Sequence, residues 1–155
     1  MRIALFEPDI PQNTGTILRL AACLGLAVDV IEPAGFALDD ARMRRAGMDY
    51  LEHVELTRHA SWAAFAARPR GRLLLFTTRA EQAYAEFACR PDDTLLFGRE
   101  SGGVPAAVRD AADARLRIPI RAGLRSLNVA VAVAMAAGEA LRQTGGFAAL
   151  PRAGR

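Results

Sequence analysis

Three segments of this chain carry residue types that bind phosphates or other polar groups. The first is PDIPQNTGTILRL, residues 8–20, in which Asn13 and Thr14 can cap a helix that projects Arg19 from its next turn. A helix start beside an arginine suits a phosphate or a polarised oxygen, because free amides and a guanidinium both donate hydrogen bonds to anions. Taken alone, this segment is better explained as an ordinary helix cap with a surface arginine.

The second segment is LLFGRESGGVP, residues 95–105, where an apolar run ends at Gly98 and a loop containing Glu100 follows. Glycines let a ligand approach the backbone closely, and Glu100 can accept from a hydroxyl or brace the loop. Pro105 then stands at the favoured first position of a helix. A plain loop before a helix is the alternative, but the length and composition favour a binding loop.

The third segment runs from Ile118 to Asn128 and leads into a helix with no charged residue between Leu127 and Gly138. Such a helix is apolar all round and must be covered on most sides. Ser126 is the candidate N-cap, and Asn128 then lies within the helix, where an amide facing a packed core needs partners. Polar groups at the entrance of a buried helix indicate a bound ligand.

Several other chemistries lack their usual sequence signatures. The chain contains neither G-x-G-x-x-G nor G-x-x-x-x-G-K-[ST], which removes the usual support for a dinucleotide or a nucleoside triphosphate. Ser101 and Ser126 lack the G-x-S-x-G setting of a serine hydrolase. Cys23, Cys89 and the two histidines are not spaced as metal ligands, so we expect neither a metal site nor a disulfide.

Strands alternate with helices in the predicted secondary structure. Predicted strands cover residues 3–6, 26–31, 54–56, 72–77, 94–97 and 115–120, and predicted helices cover 14–24, 38–46, 61–67, 105–111 and 127–143. This alternation predicts a single α/β domain over residues 1–155, with a doubly wound, mostly parallel sheet. Ligands of such sheets bind beyond the carboxyl ends of the strands, where the three polar segments are expected.

Composition fits a globular protein and leaves RNA binding open. The chain has 155 residues, of which 52% are hydrophobic, and its net charge is +3. All 20 basic residues are arginines, which a GC-rich genome explains better than nucleic-acid binding does. The modest net charge permits RNA binding without demonstrating it. The best local clusters are Arg42 with Arg44 and Arg45, for which a solvated helix face is the alternative, and the arginines near the third segment. With no signal-peptide layout or membrane span, we expect a soluble, cytoplasmic protein.

Together, the order and spacing of these segments resemble the SPOUT RNA methyltransferases. The resemblance is to the minimal TrmL-like branch, which methylates the ribose of the wobble nucleotide in certain tRNAs. It covers almost the whole chain and rests on FEPDIPQNTGTILR, IEPAGFALDDARMRRAGMDY, LLFGRESGGVP and the stretch from RIPI to RSLN. The resemblance implies an S-adenosylmethionine-dependent 2'-O-methyltransferase, with S-adenosylhomocysteine as product and no metal, acting on the anticodon stem-loop of tRNA, leucine isoacceptors among them.

The resemblance also implies residue roles. Arg19 would be the catalytic arginine that positions the phosphate and the 2'-oxygen, supported by Asn13, Glu100, Ser126 and Asn128. The cofactor would be held near Phe76, Thr77, Gly98, Ile118, Ser126 and Leu127. The RNA would contact Arg42, Arg44, Arg45 and Arg121.

At the level of architecture, the resemblance implies a deep trefoil knot and a homodimer. The knot would involve the strands near Phe76 and Phe97 and the loop from Ile120 to Ser126. Small residues on the last helix would let a partner approach closely: Ala130, Ala134, Ala137 and Gly138. Gly138 stands where the branch is expected to carry a bulky aromatic. Two alternatives are a ribose methyltransferase for another RNA, such as rRNA, and an inactive knotted RNA-binding protein.

Overall fold

The computed structural model describes residues 1–37, 48–68 and 71–150. These residues form seven strands: β1 (Arg2–Phe6), β2 (Ala27–Ile31), β3 (Leu56–His59), β4 (Leu73–Phe76), β5 (Gln82–Ala83), β6 (Thr94–Phe97) and β7 (Ala114–Arg117). The strands form one sheet in the order β3-β2-β1-β6-β4-β7-β5, and neighbouring strands all pair in parallel. The predicted parallel α/β architecture is therefore confirmed.

Four α-helices lie in the described part of the chain. They are α1 (Pro11–Leu24), α2 (Trp62–Ala66), α3 (Ala106–Asp110) and α4 (Val129–Thr144), and 3-10 turns cover Met48–His53, Tyr84–Glu86 and Gly146–Ala149. None of the helices in residues 1–37, 48–68 and 71–150 is long and apolar enough to cross a membrane. The predicted helix over residues 38–46 lies outside the described residues.

The sheet separates two apolar layers. On one face, Ile3 and Leu5 of β1 pack in a cluster with residues of α1 and α4. On the other face, Ala4 and Phe6 pack with Phe65 of α2 and with a residue of α3. The central strands β4 and β6 are buried on both faces, which explains why they read as uninterrupted apolar runs, LLLF and TLLF.

Helix α1 begins earlier than predicted. Its first residue is Pro11 and its N-cap is Ile10, whose side chain makes no capping hydrogen bond, so the predicted cap at Asn13 or Thr14 is wrong. Proline suits the first position because its fixed φ is already helical and it has no N–H to satisfy. The helix ends as predicted at Gly25, which adopts a left-handed φ of 63°. Asn13 is thereby free to use its amide elsewhere.

Helix α4 begins later than predicted. Its N-cap is Asn128, whose Oδ1 accepts from the backbone N–H of Ala130 at 2.8 Å and of Val131 at 3.4 Å, so Ser126 is not the cap. Asn128 has a non-helical ψ of 137°, and its side chain accepts from the backbone N–H groups that lack a partner at the start of a helix. The preceding strand is shorter than predicted and ends at Arg117, which leaves residues 118–128 as a loop.

Helix α4 is only partly covered by its own chain. Ala130 and Ala137 are buried in the core, so these two residues are not available to a partner as the resemblance implied. Val131 is 49% exposed and Met135 is 39% exposed. The expectation of a helix covered on most sides is therefore not met within one chain. At Gly138, an added Cβ would meet open space.

Smaller differences concern the short elements. The weak strand predicted over 54–56 is β3, Leu56–His59. Strand β5 has two residues and carries no recognisable pattern. Pro105 is the N-cap of α3 and not its first residue.

A candidate active-site cleft at the carboxyl edge of the sheet

An open cleft of about 780 Å³ lies beyond the carboxyl ends of β4 and β6. The loops after β4, β6 and β7 line it, together with the starts of α1 and α4. All the predicted cofactor-binding residues are at its walls: Phe76, Thr77, Gly98, Ile118, Ser126 and Leu127. Asn13, Glu100, Ser126 and Asn128 line it as well, so every predicted catalytic residue except Arg19 is in one place.

Asn13 joins the three polar segments by hydrogen bonds. Its Nδ2 donates to Oε1 of Glu100 at 3.0 Å, and its Oδ1 accepts from Nδ2 of Asn128 at 2.9 Å. Asn128 in turn caps α4. Glu100, Asn13 and Asn128 are thus joined by hydrogen bonds along the cleft, and these three side chains are called the relay below. The Asn128 amide therefore has hydrogen-bond partners, namely Asn13 and the backbone N–H groups that it caps.

Glu100 is held in place by reciprocal hydrogen bonds with Asp9. The backbone N–H of Asp9 donates to Oε2 of Glu100 at 3.2 Å, and the backbone N–H of Glu100 donates to Oδ1 of Asp9 at 3.1 Å. The other carboxylate oxygen of Asp9 accepts from the backbone N–H of Ser101 at 3.3 Å and from the Ser101 hydroxyl. The two loops are therefore tied together in both directions.

The two carboxyl groups have shifted pKa values. Burial raises the pKa of Glu100, and the neighbouring Asp9 carboxyl raises it further. The pKa of Asp9 is lowered, first by its interaction with the Glu100 side chain and then by hydrogen bonds from Ser101. A proton added to this pair goes preferentially to Glu100.

Glycine is required at Gly98 by close backbone packing. A Cβ there would lie 2.5 Å from the carbonyl carbon of Gly103. The loop closes on itself just beyond, because Arg99 and Gly103 exchange backbone hydrogen bonds of 3.1 Å and 2.8 Å. Arg99 also pairs with Glu7, which has a left-handed φ of 45°. The composition of this segment is thus explained by a tight loop that forms one wall of the cleft.

Arg19 lies apart from the other predicted catalytic residues. Its side chain is exposed on α1, it does not line the cleft, and its guanidinium stacks over the ring of Tyr50 at 4.9 Å from the centroid. Arg121 is also exposed and away from the cleft walls. The predicted RNA-binding residues Arg42, Arg44 and Arg45 lie outside the described residues.

Sequence reasoning missed several residues of this site. Asp9 belongs to the first segment, and a carboxylate two residues before a helix start was its only signal. Arg79 and Arg109 line the cleft from segments without a motif, and Arg125 lines it from the third segment. Within residues 1–37, 48–68 and 71–150, no three histidine, cysteine, aspartate or glutamate residues cluster as metal ligands do.

Comparison with known proteins identifies the family. Residues 1–138 match the model of the SpoU rRNA Methylase family. The chain belongs to the SpoU methylase family. Among SpoU relatives, a protein of Beijerinckia indica is 59% identical over 149 residues, spanning 94% of this chain and 93% of its own length. A protein of Escherichia coli K12 is 44% identical over 149 residues, spanning 94% of each chain. Both are named tRNA (cytidine(34)-2'-O)-methyltransferase.

Solved structures share the SpoU fold. One, described as giving structural insights into the 2-OH methylation of C/U34 on tRNA, has a TM-score of 0.85 and 46% identity, covering 92% of this chain and 89% of that one. The SpoU methyltransferase AviRb from Streptomyces viridochromogenes, in complex with AdoMet, has a TM-score of 0.83 and 25% identity, covering 92% of this chain and 60% of its own. The family resemblance of the sequence is thus confirmed.

Proposed function

We propose that this SpoU methylase transfers the methyl group of S-adenosylmethionine to the 2'-hydroxyl of the wobble nucleotide, cytidine 34 or uridine 34, in tRNA, with leucine isoacceptors among its substrates. The observation that carries the proposal is the joining of Asn13, Glu100 and Asn128 in one cleft, in a chain 59% identical to a protein named for this activity. The relatives supply the substrate class, and the cleft supplies the place for the reaction.

The cleft fits S-adenosylmethionine in size and in wall chemistry. At about 780 Å³ it has the volume typical of small-molecule sites. Gly98 lets the loop fold tightly against Gly103. The loop from Gly98 to Val104 lines the cleft, where a ligand can contact it. Phe76, Thr77, Gly98, Ile118, Ser126 and Leu127 would hold the cofactor, which when bound supplies a methyl group on a sulfonium. The product left in the cleft is S-adenosylhomocysteine, and no metal is needed.

The residues of this chain would act by alignment. Methyl transfer to a hydroxyl depends on orientation and on a shaped electrostatic pocket. Asn13 and Asn128 would orient the ribose and the entrance of α4, and Glu100 would brace the loop between them. Because a guanidinium stays protonated in proteins and is a poor base, the role of Arg19 would be to position the phosphate and the 2'-oxygen, with the proton lost to water.

A homodimer would bring Arg19 to the site. Arg19 is exposed and outside its own chain's cleft, while Val131 and Met135 leave an apolar strip on α4 uncovered. A second copy packed on this strip would cover it and place Arg19 at the neighbouring cleft. Mixing an Arg19→Ala chain with a Gly98→Ala chain should then restore one working site per heterodimer. Absence of restored activity in verified heterodimers would show that each site is built within one chain.

The remaining features follow the family. We propose the SPOUT trefoil knot, with the strands ending at Phe76 and Phe97 and the loop from Ile120 to Ser126; its support is the TM-score of 0.85 and the return of the chain after β7 to Asn13. The anticodon stem-loop would meet Arg121 and the cluster Arg42, Arg44 and Arg45, with salt-dependent phosphate contacts. The enzyme would work in the cytoplasm, where tRNA is found.

The test is transfer of tritiated methyl groups to tRNA from a matched host that lacks this methylation. We expect incorporation, with 2'-O-methylation mapped to nucleotide 34. Methylation of a ribose in rRNA when total RNA is supplied would support the rRNA alternative. No incorporation into any RNA by correctly folded protein would leave the inactive RNA-binding alternative.

A further inference from the structure

We propose that Asp9 is a positioning residue, which clamps the loop 98–104 to the start of α1 and so holds Glu100 where the cleft needs it. This inference rests on the proposed function, because its main readout is the rate of methyl transfer. Asp9 does not line the cleft itself. It acts through Glu100, whose carboxylate meets Asn13.

The clamp consists of hydrogen bonds that run in both directions. Asp9 accepts from the backbone N–H of Glu100 at 3.1 Å and of Ser101 at 3.3 Å, and from the Ser101 hydroxyl. Glu100 accepts from the backbone N–H of Asp9 at 3.2 Å. Hydrogen bonds to a carboxylate are about twice as strong as neutral ones, and a reciprocal set fixes both loops at once. The loop after β6 therefore has a defined position relative to α1.

Asp9 is itself held in place from the outside. The backbone N–H of Gly35 donates to the carbonyl oxygen of Pro8 at 2.9 Å. A Cβ at Gly35 would lie 3.0 Å from Cα of Asp9, so the two backbones are in close contact. Asp9 is thus packed between the loop after β2 and the loop after β6. This backing distinguishes it from a carboxylate on a free surface loop.

The clamp is linked to the far wall of the cleft through the relay. Glu100 accepts from Asn13, and Asn13 accepts from Asn128, the cap of α4. A shift of the loop at Glu100 would therefore move the amide of Asn13 or break its bond. Because misplacement of about 1 Å can reduce a rate about a hundredfold, the position of Glu100 matters even if it never contacts the methyl group.

The charges around Glu100 make the clamp visible in a titration. Among the described residues, neither Asp9 nor Glu100 forms an ion pair with an arginine. The cations that line the same cleft are Arg79, Arg99, Arg109 and Arg125, of which Arg99 is paired with Glu7 and Arg109 with Asp110. These cations are unchanged when Asp9 is replaced. The Asp9 carboxyl is one cause of the raised pKa of Glu100, so removing it lowers that pKa.

The experiment compares Asp9→Asn and Asp9→Ala with Asp113→Asn. Asp113 is a matched control, because it also accepts from the backbone N–H of a distant segment, that of Leu73 at 2.7 Å, but at the amino end of β4. We expect kcat to fall about tenfold in Asp9→Asn and up to about a hundredfold in Asp9→Ala, with KM for tRNA within about twofold. Asp113→Asn should keep its kcat.

A second measurement separates positioning from general stabilisation. If Asp9 acts through Glu100, then Asp9→Ala should cost little further in a Glu100→Gln background, because residues that act as a unit are not additive. The acid limb of the kcat profile should also move to lower pH in Asp9→Asn, because the Glu100 carboxyl ionises more easily. Full multiplication of the two losses, or an equal loss in Asp113→Asn, would overturn the proposal.

A third measurement keeps this inference separate from the proposed function. If the wild-type protein methylates no tRNA, the proposed function fails, but the clamp can still be tested by 13C NMR titration of the Glu100 carboxyl in the full chain. The expected result is a lower pKa of Glu100 in Asp9→Asn than in the wild type. An unchanged pKa would overturn the clamp whatever the activity.

Discussion

Two groups of carboxylates in this protein have opposite surroundings. At the amino ends of β4 and β6, the fully buried Asp93 accepts two bonds from the guanidinium of Arg72, at 2.9 Å and 2.8 Å. That guanidinium also lies over the ring of Phe87 at 4.8 Å. At the carboxyl ends, Asp9 and Glu100 meet backbone amides, Ser101, Asn13 and each other, and no arginine in residues 1–37, 48–68 and 71–150 forms an ion pair with them.

The difference is that one edge of the sheet closes its carboxylate in an ion pair, while the other leaves a carboxylate at the cleft where we propose that the cofactor binds. A bidentate ion pair with Arg72 neutralises the charge of Asp93, and its hydrogen-bonding capacity is used within the chain. Glu100, by contrast, lines an open cleft, and its pKa is raised by burial and by the neighbouring Asp9 carboxyl. Perturbed groups in a cleft are typical of functional sites.

The largest effect should come from breaking the ion pair between Arg72 and Asp93. Asp93→Ala leaves the partly buried Arg72 without its partner and should lower the free energy of unfolding by about 3 kcal/mol in urea titrations. The cofactor affinity of the folded fraction should not change. Asp92→Asn, at the exposed neighbouring position, is the control. A loss of affinity beyond the loss of folded protein would show that the two edges are not independent.

At the carboxyl edge of the sheet, cofactor binding should be most sensitive to substitution of Gly98. Gly98→Ala places a Cβ 2.5 Å from the Gly103 carbonyl carbon, so the loop must move. We expect S-adenosylmethionine to bind at least about tenfold more weakly by calorimetry, at a cost in stability of about 1–3 kcal/mol. Gly102→Ala is the matched control, because its Cβ would first meet a flexible atom of Arg99 at 3.4 Å. Equal binding by both variants would contradict the interpretation that tight packing at Gly98 fixes the loop that forms this wall of the cleft.

Asn128 both stabilises the fold, as the cap of α4, and belongs to the relay in the cleft. Two substitutions separate these roles. Asn128→Ala removes the cap of α4 and the bond to Asn13, so it should cost about 1 kcal/mol of stability as well as activity. Asn128→Asp keeps a capping oxygen but cannot donate to Asn13, so it should keep the stability and lose methyl transfer. If Asn128→Asp proved fully active in the tritium assay, the relay would not be needed.

The smallest effect is expected at Tyr50, which holds Arg19 by stacking alone among the described contacts. Tyr50→Leu removes an interaction of about 0.5–1 kcal/mol and should lower kcat about two- to fivefold. Tyr50→Phe keeps the aromatic face and should retain the rate. Single-turnover kinetics on tRNA measure the difference, and equal rates for the two variants would exclude a positioning role for the ring.

Prediction from sequence was most accurate where a local pattern decides the structure. The central strands and the end of α1 at Gly25 were predicted correctly, because burial on both faces and a left-handed helix end leave local marks. The predicted helix starts were wrong at all three polar segments. At α4 both Ser126 and Asn128 can cap by residue type, and the capping residue, Asn128, also bonds the distant Asn13, a contact that no local pattern reveals.

The alternation of strands and helices, the three polar segments at strand ends and the resemblance to a methyltransferase family could all be read from the amino-acid sequence. These are properties of short stretches, readable from hydrophobic period, glycine and proline positions. The contact of Asp9 with Glu100, 91 positions away, and that of Asn13 with Asn128, 115 positions away, are seen only in the folded chain. Parallel strands bring distant loops to one edge of the sheet, and hydrogen bonds between such loops leave no periodic trace in the chain.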